Sequence, residues 1–98
     1  MNLQGSGPPL LFRLGQVVAT PGALEALQEA GQDPLDLLRR HQSGDWGEVP
    51  EEDKQENDFS VQHGYRILSA YTLSTGVKLW LITEWDRSVT TLLLPQEY

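Results

Sequence analysis

Three side chains in this sequence have the chemistry of an acid–base site: His41, Asp86 and Arg87. A histidine exchanges protons near neutral pH, and a carboxylate and a guanidinium can orient a substrate beside it. A small hydrolase or toxin-like nuclease is therefore one hypothesis, if the loop at 41–47 folds over the turn that carries the other two residues. The competing interpretation is structural. Asp86 is typical of a turn, because its side chain bonds to nearby backbone amides, and His41 suits a helix end as a cation.

A metal site would draw on His41, Asp45 and His63, two histidines and one carboxylate. His41 and Asp45 lie four positions apart, but both histidines fall where helices are expected to end and suit a cation there. The sequence contains no cysteine, zinc signature, phosphate loop or nucleophile elbow. We therefore predict no metal and no cofactor, and we favour a protein without catalytic activity.

Acidic residues are concentrated in one segment. The formal net charge is −7, and seven of the fourteen acids lie between positions 45 and 58, with Lys54 as the single opposing cation. Elsewhere seven acids face six basic residues, which nearly cancel. A local negative field argues against direct binding to nucleic acid, whose phosphates require a basic patch.

The acidic segment suggests a partner with a basic surface. Carboxylates in the place of phosphates could occupy a nucleic-acid-binding groove, with Trp46 as an aromatic anchor. Two simpler interpretations stay open: the run is a solvated helix face, and the tryptophan, held between two glycines, is a core residue. The predicted partner-binding residues are Asp45, Trp46, Glu48, Glu51, Glu52, Asp53 and Glu56.

Residues 65–94 predict three β-strands. Runs rich in β-branched and aromatic residues at 65–73, 77–85 and 89–94 are separated by short turns, the first with Gly76. Short loops join antiparallel neighbours, so the pattern predicts an antiparallel meander, to which residues 12–19 could add a fourth strand. The middle run is apolar on both faces. Both of its faces must be covered within the chain, or else the uncovered face would form a homo-oligomer interface through Trp80 and Ile82.

Three short helices are expected before these strands. Thr20 and Asp33 are N-cap residues followed by proline, and a third helix runs from Pro50 to a stop at Gly64. The fold class is therefore α+β, with three N-terminal helices packed on a three- to four-stranded antiparallel sheet. The third helix has few apolar residues, and its strongest apolar contacts are expected near its end, at Phe59 and Val61.

The first two helices also permit a third functional hypothesis. Residues 23–42 superficially resemble a helix-turn-helix DNA-binding regulator. However, the first turn of its second helix is acidic and apolar, whereas a recognition helix contacts DNA mainly through that part.

The chain is expected to be one domain over residues 12–98, preceded by a disordered extension at 1–11 that is rich in glycine and proline. It has no signal peptide pattern and no run of about 18–20 apolar residues, as a membrane span would need. We expect a protein without membrane association. The absence of cysteine is compatible with the cytoplasm.

Three strings show a resemblance to a protein family. They are LGQVVATPGAL at 14–24, RHQSGDWG at 40–47 and TEWDRSVTT at 83–91. Over residues 12–98 the chain resembles small, functionally uncharacterised bacterial proteins carried on plasmids and other mobile DNA. The resemblance implies no established activity and transfers no site residues. It implies a mobile-DNA setting, in which an acidic binding protein would act on a host restriction or CRISPR component.

Overall fold

A four-stranded sheet organises the computed structural model, which describes residues 9–98. The strands are β1 (Gln16–Ala19), β2 (Ile67–Thr72), β3 (Lys78–Thr83) and β4 (Val89–Leu93), in the spatial order β1-β4-β3-β2. The three strands predicted from residues 65–94 are confirmed, as is a fourth within residues 12–19. The α+β fold class is confirmed too.

The three helices begin and end at the predicted signals. They are α1 (Pro21–Ala30), α2 (Pro34–Gln42) and α3 (Glu51–His63), and a short 3₁₀ turn follows β4 at Pro95–Glu97. The side chains of Thr20 and Asp33 accept hydrogen bonds from the first-turn amides of α1 and α2. Gly31 and Gly64 end α1 and α3 in the left-handed conformation, with φ of 65° and 75°.

The predicted topology is wrong in two respects. All three helices lie between β1 and β2, so they do not precede the sheet, and the sheet is mixed because β1 pairs in parallel with β4. β4 and β2 pair antiparallel with β3, as the short loops predict. A parallel pair needs a long crossover, which here is all of the chain from α1 to β3. Local turn signals carry no information about such a distant pairing.

The main core lies between α1, α2 and one face of the sheet. Apolar side chains of the two helices interlock with alternate residues of β2, β3 and β4, since every second side chain of a strand points to the same face. The buried members are Ala23, Ala26, Leu27, Leu37, Leu38, Tyr71, Leu73, Leu79, Leu81 and Leu92.

The opposite face of β3 is covered in part by the C-terminal residues. Ile82 is buried, and the indole of Trp80 is half-buried with the Tyr98 ring packed edge-on at 5.7 Å between centroids. Ile82 is therefore not on the surface where self-association through this face would need it.

Helix α3 packs on β2 through polar side chains. The Asn57 side-chain amide donates to the Leu68 carbonyl at 2.8 Å and accepts from the Leu68 amide at 3.2 Å. The buried residues of α3 are Asn57 and Ser60, whereas Phe59 is 54% exposed. The expectation of apolar contacts near the end of α3 is correct for Val61, which packs against a buried cluster, and wrong for Phe59. The contact with β2 is made instead by an amide that matches the free hydrogen-bonding groups of a sheet edge.

The loop before α3 extends the edge of β2. The Ala70 amide donates to the Trp46 carbonyl, and the Glu48 amide donates to the Ala70 carbonyl. Gly47, at φ +76°, lies between them, and a Cβ atom there would overlap the Ala70 carbonyl oxygen. Trp46 is only 4% exposed and stacks on Phe12, which confirms its interpretation as a core residue.

The predicted disordered extension at 1–11 lies outside the described residues for positions 1–8. Leu11, within the described part, donates its amide to the Gln42 carbonyl at 2.8 Å. None of the helices in residues 9–98 is long and apolar enough to cross a membrane.

Gly47→Ala is expected to destabilise the protein much more than Gly76→Ala. Both glycines have positive φ, but a Cβ atom at Gly76 meets nothing within 4 Å. Gly76→Ala should therefore lower the free energy of unfolding by only about 1 kcal/mol, because alanine disfavours positive φ. Gly47→Ala should lower it by about 2 kcal/mol more, because its Cβ atom would also overlap the Ala70 carbonyl. Urea unfolding of the two variants measures the difference, and equal midpoints would show that the loop does not approach β2 as described.

Candidate functional site

His41 lies at the centre of a buried chain of hydrogen bonds. Its Nδ1 is 2.6 Å from Ser69 Oγ and its Nε2 is 2.9 Å from Thr83 Oγ1. Thr83 Oγ1 is in turn 2.7 Å from Thr90 Oγ1, and Thr90 Oγ1 donates to the Leu14 carbonyl at 2.8 Å. His41, Ser69, Thr83 and Thr90 are each 0% exposed. This chain of hydrogen bonds therefore joins α2 to β2, β3, β4 and the segment before β1.

The carbonyl at one end determines the direction of every bond in this chain. A carbonyl oxygen only accepts, so the Thr90 hydroxyl donates its single proton to Leu14 and must accept from Thr83. Because the Thr83 hydroxyl donates its single proton to Thr90, it must accept from the Nε2–H of His41. In a neutral imidazole Nδ1 then carries no proton, so it accepts from the Ser69 hydroxyl. The network assigns one neutral tautomer to the imidazole and satisfies both of its nitrogens.

Burial lowers the pKa of His41 to about 3, with a further lowering from the positive charge of Arg87. The expectation that His41 is a cation at a helix end is therefore wrong. The basic residues Arg39 and Arg40 do occupy the last turn of α2, but the imidazole points into the core. Phe12 and Trp46 pack edge-on against its ring, at centroid distances of 5.1 and 6.0 Å.

The neutral His41 makes folding stability depend on pH. The unfolded histidine binds a proton below pH about 6.5, whereas the folded one does so only near pH 3. The contribution of the neutral imidazole to the free energy of unfolding is fully present above pH about 6.5. It decreases by about 1.4 kcal/mol per pH unit as the pH falls toward 3.

Urea unfolding between pH 8 and pH 4 should therefore show a steeper loss of stability in the wild type than in His41→Gln, which cannot titrate. Should the variant not fold, the C–H resonances of the His41 ring in the wild type, assigned by comparison with His63→Gln, answer the same question: they should not shift between pH 8 and pH 5. An equal pH dependence of stability in wild type and variant, or a titrating His41 resonance, would contradict a buried neutral imidazole.

Arg87 binds four backbone carbonyls. Its Nη2 donates to Ser60 at 2.7 Å, and its Nη1 lies within hydrogen-bonding distance of the carbonyls of Tyr65, Glu84 and Trp85, at 2.7, 3.1 and 3.2 Å. Its backbone adopts φ 59°, in the left-handed region that few non-glycine residues occupy. The guanidinium therefore ties the turn between β3 and β4 to the C-terminal end of α3.

The structure does not bring His41, Asp86 and Arg87 into one open site. The Asp86 carboxylate accepts from the Ser88 amide at 3.0 Å, which confirms its interpretation as a turn residue. The Phe12 ring lies against both His41 and Arg87, with the guanidinium carbon 5.6 Å from the ring centroid. Residues 9–98 also contain no group of three potential metal-ligating side chains placed to hold an ion.

Arg87→Lys should destabilise the end of α3. A lysine ammonium cannot reproduce the planar fork that bonds several carbonyls at once, so we expect a loss of about 2 kcal/mol. The amides of Gly64 and Tyr65, which bond to the Ser60 carbonyl, should exchange with solvent faster. Arg39→Lys, on the exposed side of α2, is the matched control. Unchanged exchange at both amides in Arg87→Lys would contradict this role.

Part of the predicted acidic surface is already engaged within the chain. Asp45 pairs with Arg40 at 2.7 Å and Glu48 with Lys78 at 2.9 Å, and these hydrogen bonds lower the pKa of both carboxyls. The buried Trp46 donates its indole N–H to Asp58 at 3.0 Å. Trp46 therefore does not stand on the surface as an anchor.

The remaining acidic residues form an exposed face of α3. Glu51, Glu52, Asp53 and Glu56 are all exposed, and within residues 9–98 none of them forms an ion pair. The first three lie in the first turn of the helix, where negative charge is favoured by the helix dipole.

Three exposed aromatic residues lie at the C-terminal end of α3 or close to it. Phe59, Tyr65 and Trp85 are 54%, 57% and 65% exposed, and the rings of Phe59 and Tyr65 are parallel with centroids 5.9 Å apart. The backbone carbonyls of Tyr65 and Trp85 both bond to Arg87, which holds them at the same end of the molecule. The sequence patterns did not predict this cluster. The sparse apolar content of α3 is the signal that could have indicated it, since a helix with one lone phenylalanine need not bury it.

A cleft of about 690 Å³ lies between the acidic face and the aromatic cluster. Its walls are Glu52, Gln55, Glu56, Phe59, Ser60, Tyr65 and Arg66. The cleft therefore combines carboxylates with aromatic rings, the residue types that bind a cation carried on a partly apolar group.

Residues 23–42, the candidate DNA reader, lie against the sheet. Leu37 and Leu38 of α2 are buried in the core, and Arg40 is paired with Asp45. This leaves Arg39 as a basic side chain of α2 without an ion pair in the described part of the chain.

Comparison with known proteins gives no further assignment: no family model, no curated protein and no solved structure matches this chain.

Proposed function

We propose that this chain is a small non-catalytic binding protein that uses the exposed face of α3 to bind a protein partner with a basic surface. The observation that carries the proposal is the set of four exposed carboxylates that form no ion pair within residues 9–98, next to two exposed aromatic rings that line the same cleft. Aromatic side chains surrounded by charged residues are typical of the sites that contribute most to protein–protein affinity.

The carboxylates have the chemistry to replace nucleic-acid phosphates. They follow one another along the helix at positions 51, 52, 53 and 56, so their charges are close together and face solvent. A groove that binds phosphates with lysine and arginine would be attracted to such a surface, and association would be faster at low ionic strength. A nucleic-acid decoy is the form of inhibition that this surface supports.

The mobile-DNA resemblance supplies the biological setting of the proposal. A protein carried on a plasmid benefits from blocking a host system that recognises foreign DNA. We therefore include a restriction or CRISPR component, or another nucleic-acid-processing protein, among the targets that the acidic face would bind.

A hydrolase based on His41, Asp86 and Arg87 has less support. His41 is buried and neutral with both nitrogens bonded, and Arg87 is bonded to backbone carbonyls. A general base must reach the proton it removes, and an imidazole that is 0% exposed does not meet a substrate.

The proposal is tested by an affinity pull-down from host-cell lysate at low and high salt. Glu51→Lys/Glu52→Lys should lose a specific partner that the wild type recovers, because reversing two charges makes the face repel a basic groove. The recovered partner should weaken in binding as salt increases.

Glu25→Lys/Glu29→Lys is the matched control. It makes the same change in net charge on exposed positions of α1. The control should recover the same partner as the wild type. If both variants lose it equally, net charge alone explains the binding. If the α3 variant retains every partner of the wild type, the acidic face is only a solvated surface.

A further inference from the structure

The cleft at the end of α3 has a more specific chemistry than the acidic face as a whole. Glu52, Glu56 and Phe59 are separated by four and three positions, so all three project from one side of the helix. Tyr65, in the link to β2, also lines the cleft, and its ring lies parallel to that of Phe59 with centroids 5.9 Å apart. A group entering the cleft therefore meets two carboxylates and two aromatic rings together.

We infer that this cleft binds an arginine side chain of the partner, with the guanidinium against the Tyr65 and Phe59 rings and its N–H groups donating to Glu52 or Glu56. This inference rests on the proposed function and deepens it by naming the group that the partner inserts. The remaining acidic residues, Glu51 and Asp53, lie outside the lining of the cleft and contribute a general attraction.

Charge complementarity favours a cationic occupant. The cleft contains one cation of its own, Arg66, which donates from Nη2 to the Tyr98 hydroxyl at 2.7 Å and lies over the Tyr98 ring. The guanidinium of Arg66 is thus engaged at Tyr98. Glu52 and Glu56 have no ion pair within residues 9–98 and stay available to an incoming cation.

The rings favour arginine over lysine. A planar guanidinium stacks on an aromatic face and keeps its N–H groups free to bond carboxylates in the same plane, and it is less strongly hydrated than an ammonium. The chain places a guanidinium near an aromatic ring three times: Arg40 at Tyr71, Arg66 at Tyr98 and Arg87 at Phe12, at 4.5, 5.5 and 5.6 Å from the ring centroids. Arg40 also bonds a carboxylate, that of Asp45. The His63 ring stacks on one side of Phe59, with centroids 3.9 Å apart, and no arginine or lysine of the described residues lies over Phe59 or Tyr65.

The frame around the cleft is fixed while its rings are exposed. Arg87 donates hydrogen bonds to the carbonyls of Ser60 and Tyr65, and thus holds the end of α3 and the segment that links it to β2 together. A preformed site binds with a smaller loss of conformational entropy than one that must be assembled. Because both rings are more than half exposed, they can be replaced without opening the core.

The experiment compares hexa-arginine with hexa-lysine, titrated into the intact protein at low ionic strength and followed by calorimetry and amide chemical shifts. We expect the arginine peptide to bind about fivefold more tightly or better, with shifts centred on α3 and Tyr65. Tyr65→Leu and Phe59→Leu, which keep apolar volume but remove the ring face, should abolish that preference while leaving a weaker, charge-driven binding of both peptides.

Leu24→Ala, an exposed change on α1, should keep the preference. Equal binding of the two peptides by the wild type would overturn the arginine site but leave the proposed acidic docking face standing, provided that both bind more weakly to Glu51→Lys/Glu52→Lys. Binding of neither peptide would also overturn the arginine site, and the lysate pull-down would then decide the proposed function separately. Retention of the arginine preference in both ring variants would assign it to the carboxylates and contradict the role of the rings.

Discussion

The buried hydrogen-bond chain through His41 is the constraint on which the rest of the fold depends. A polar group removed from water must find a partner, or the folded state loses one to three kcal/mol or so for each group left unpaired. Here the imidazole, three hydroxyls and one carbonyl satisfy one another in a single direction, from Ser69 to Leu14. Helix α2 must therefore pack at one position along the sheet, because any shift would break several bonds at once.

That network also explains how the distant N-terminal strand finds its place. Thr90 of β4 donates to Leu14, just before β1, so the buried chain reaches the segment that leads into the parallel pair. Four residues of parallel pairing are a weak contact by themselves. The bond to Leu14 and the packing of Phe12 on His41 add to it, and together they join the segment before β1 to the same core as β4.

A second polar device positions the surface on which the proposed function depends. α3 contributes almost no apolar side chains to the core, and is held by the Asn57 amide on β2 and by Arg87 at its end. This leaves its acidic residues and Phe59 directed toward solvent. A helix attached through polar side chains at an edge can present nearly all of its surface to a partner, whereas a helix attached through an apolar stripe presents only the opposite face.

Helix caps, turn residues and alternating apolar runs determined the secondary structure of this protein from its sequence alone. Thr20, Asp33, Gly31 and Gly64 define helix ends through bonds within a few residues, and such local chemistry is readable in one dimension. The tertiary structure alone decided the parallel pairing of β1, the neutral state of His41 and the exposure of Phe59. Each depends on residues far apart in the chain: β4 beside β1, Ser69 and Thr83 beside the imidazole, and an amide instead of a phenyl ring against β2. A histidine at a helix end is a cation if it faces water and a neutral donor and acceptor if it faces the core, and only the packing of the sheet decides between them.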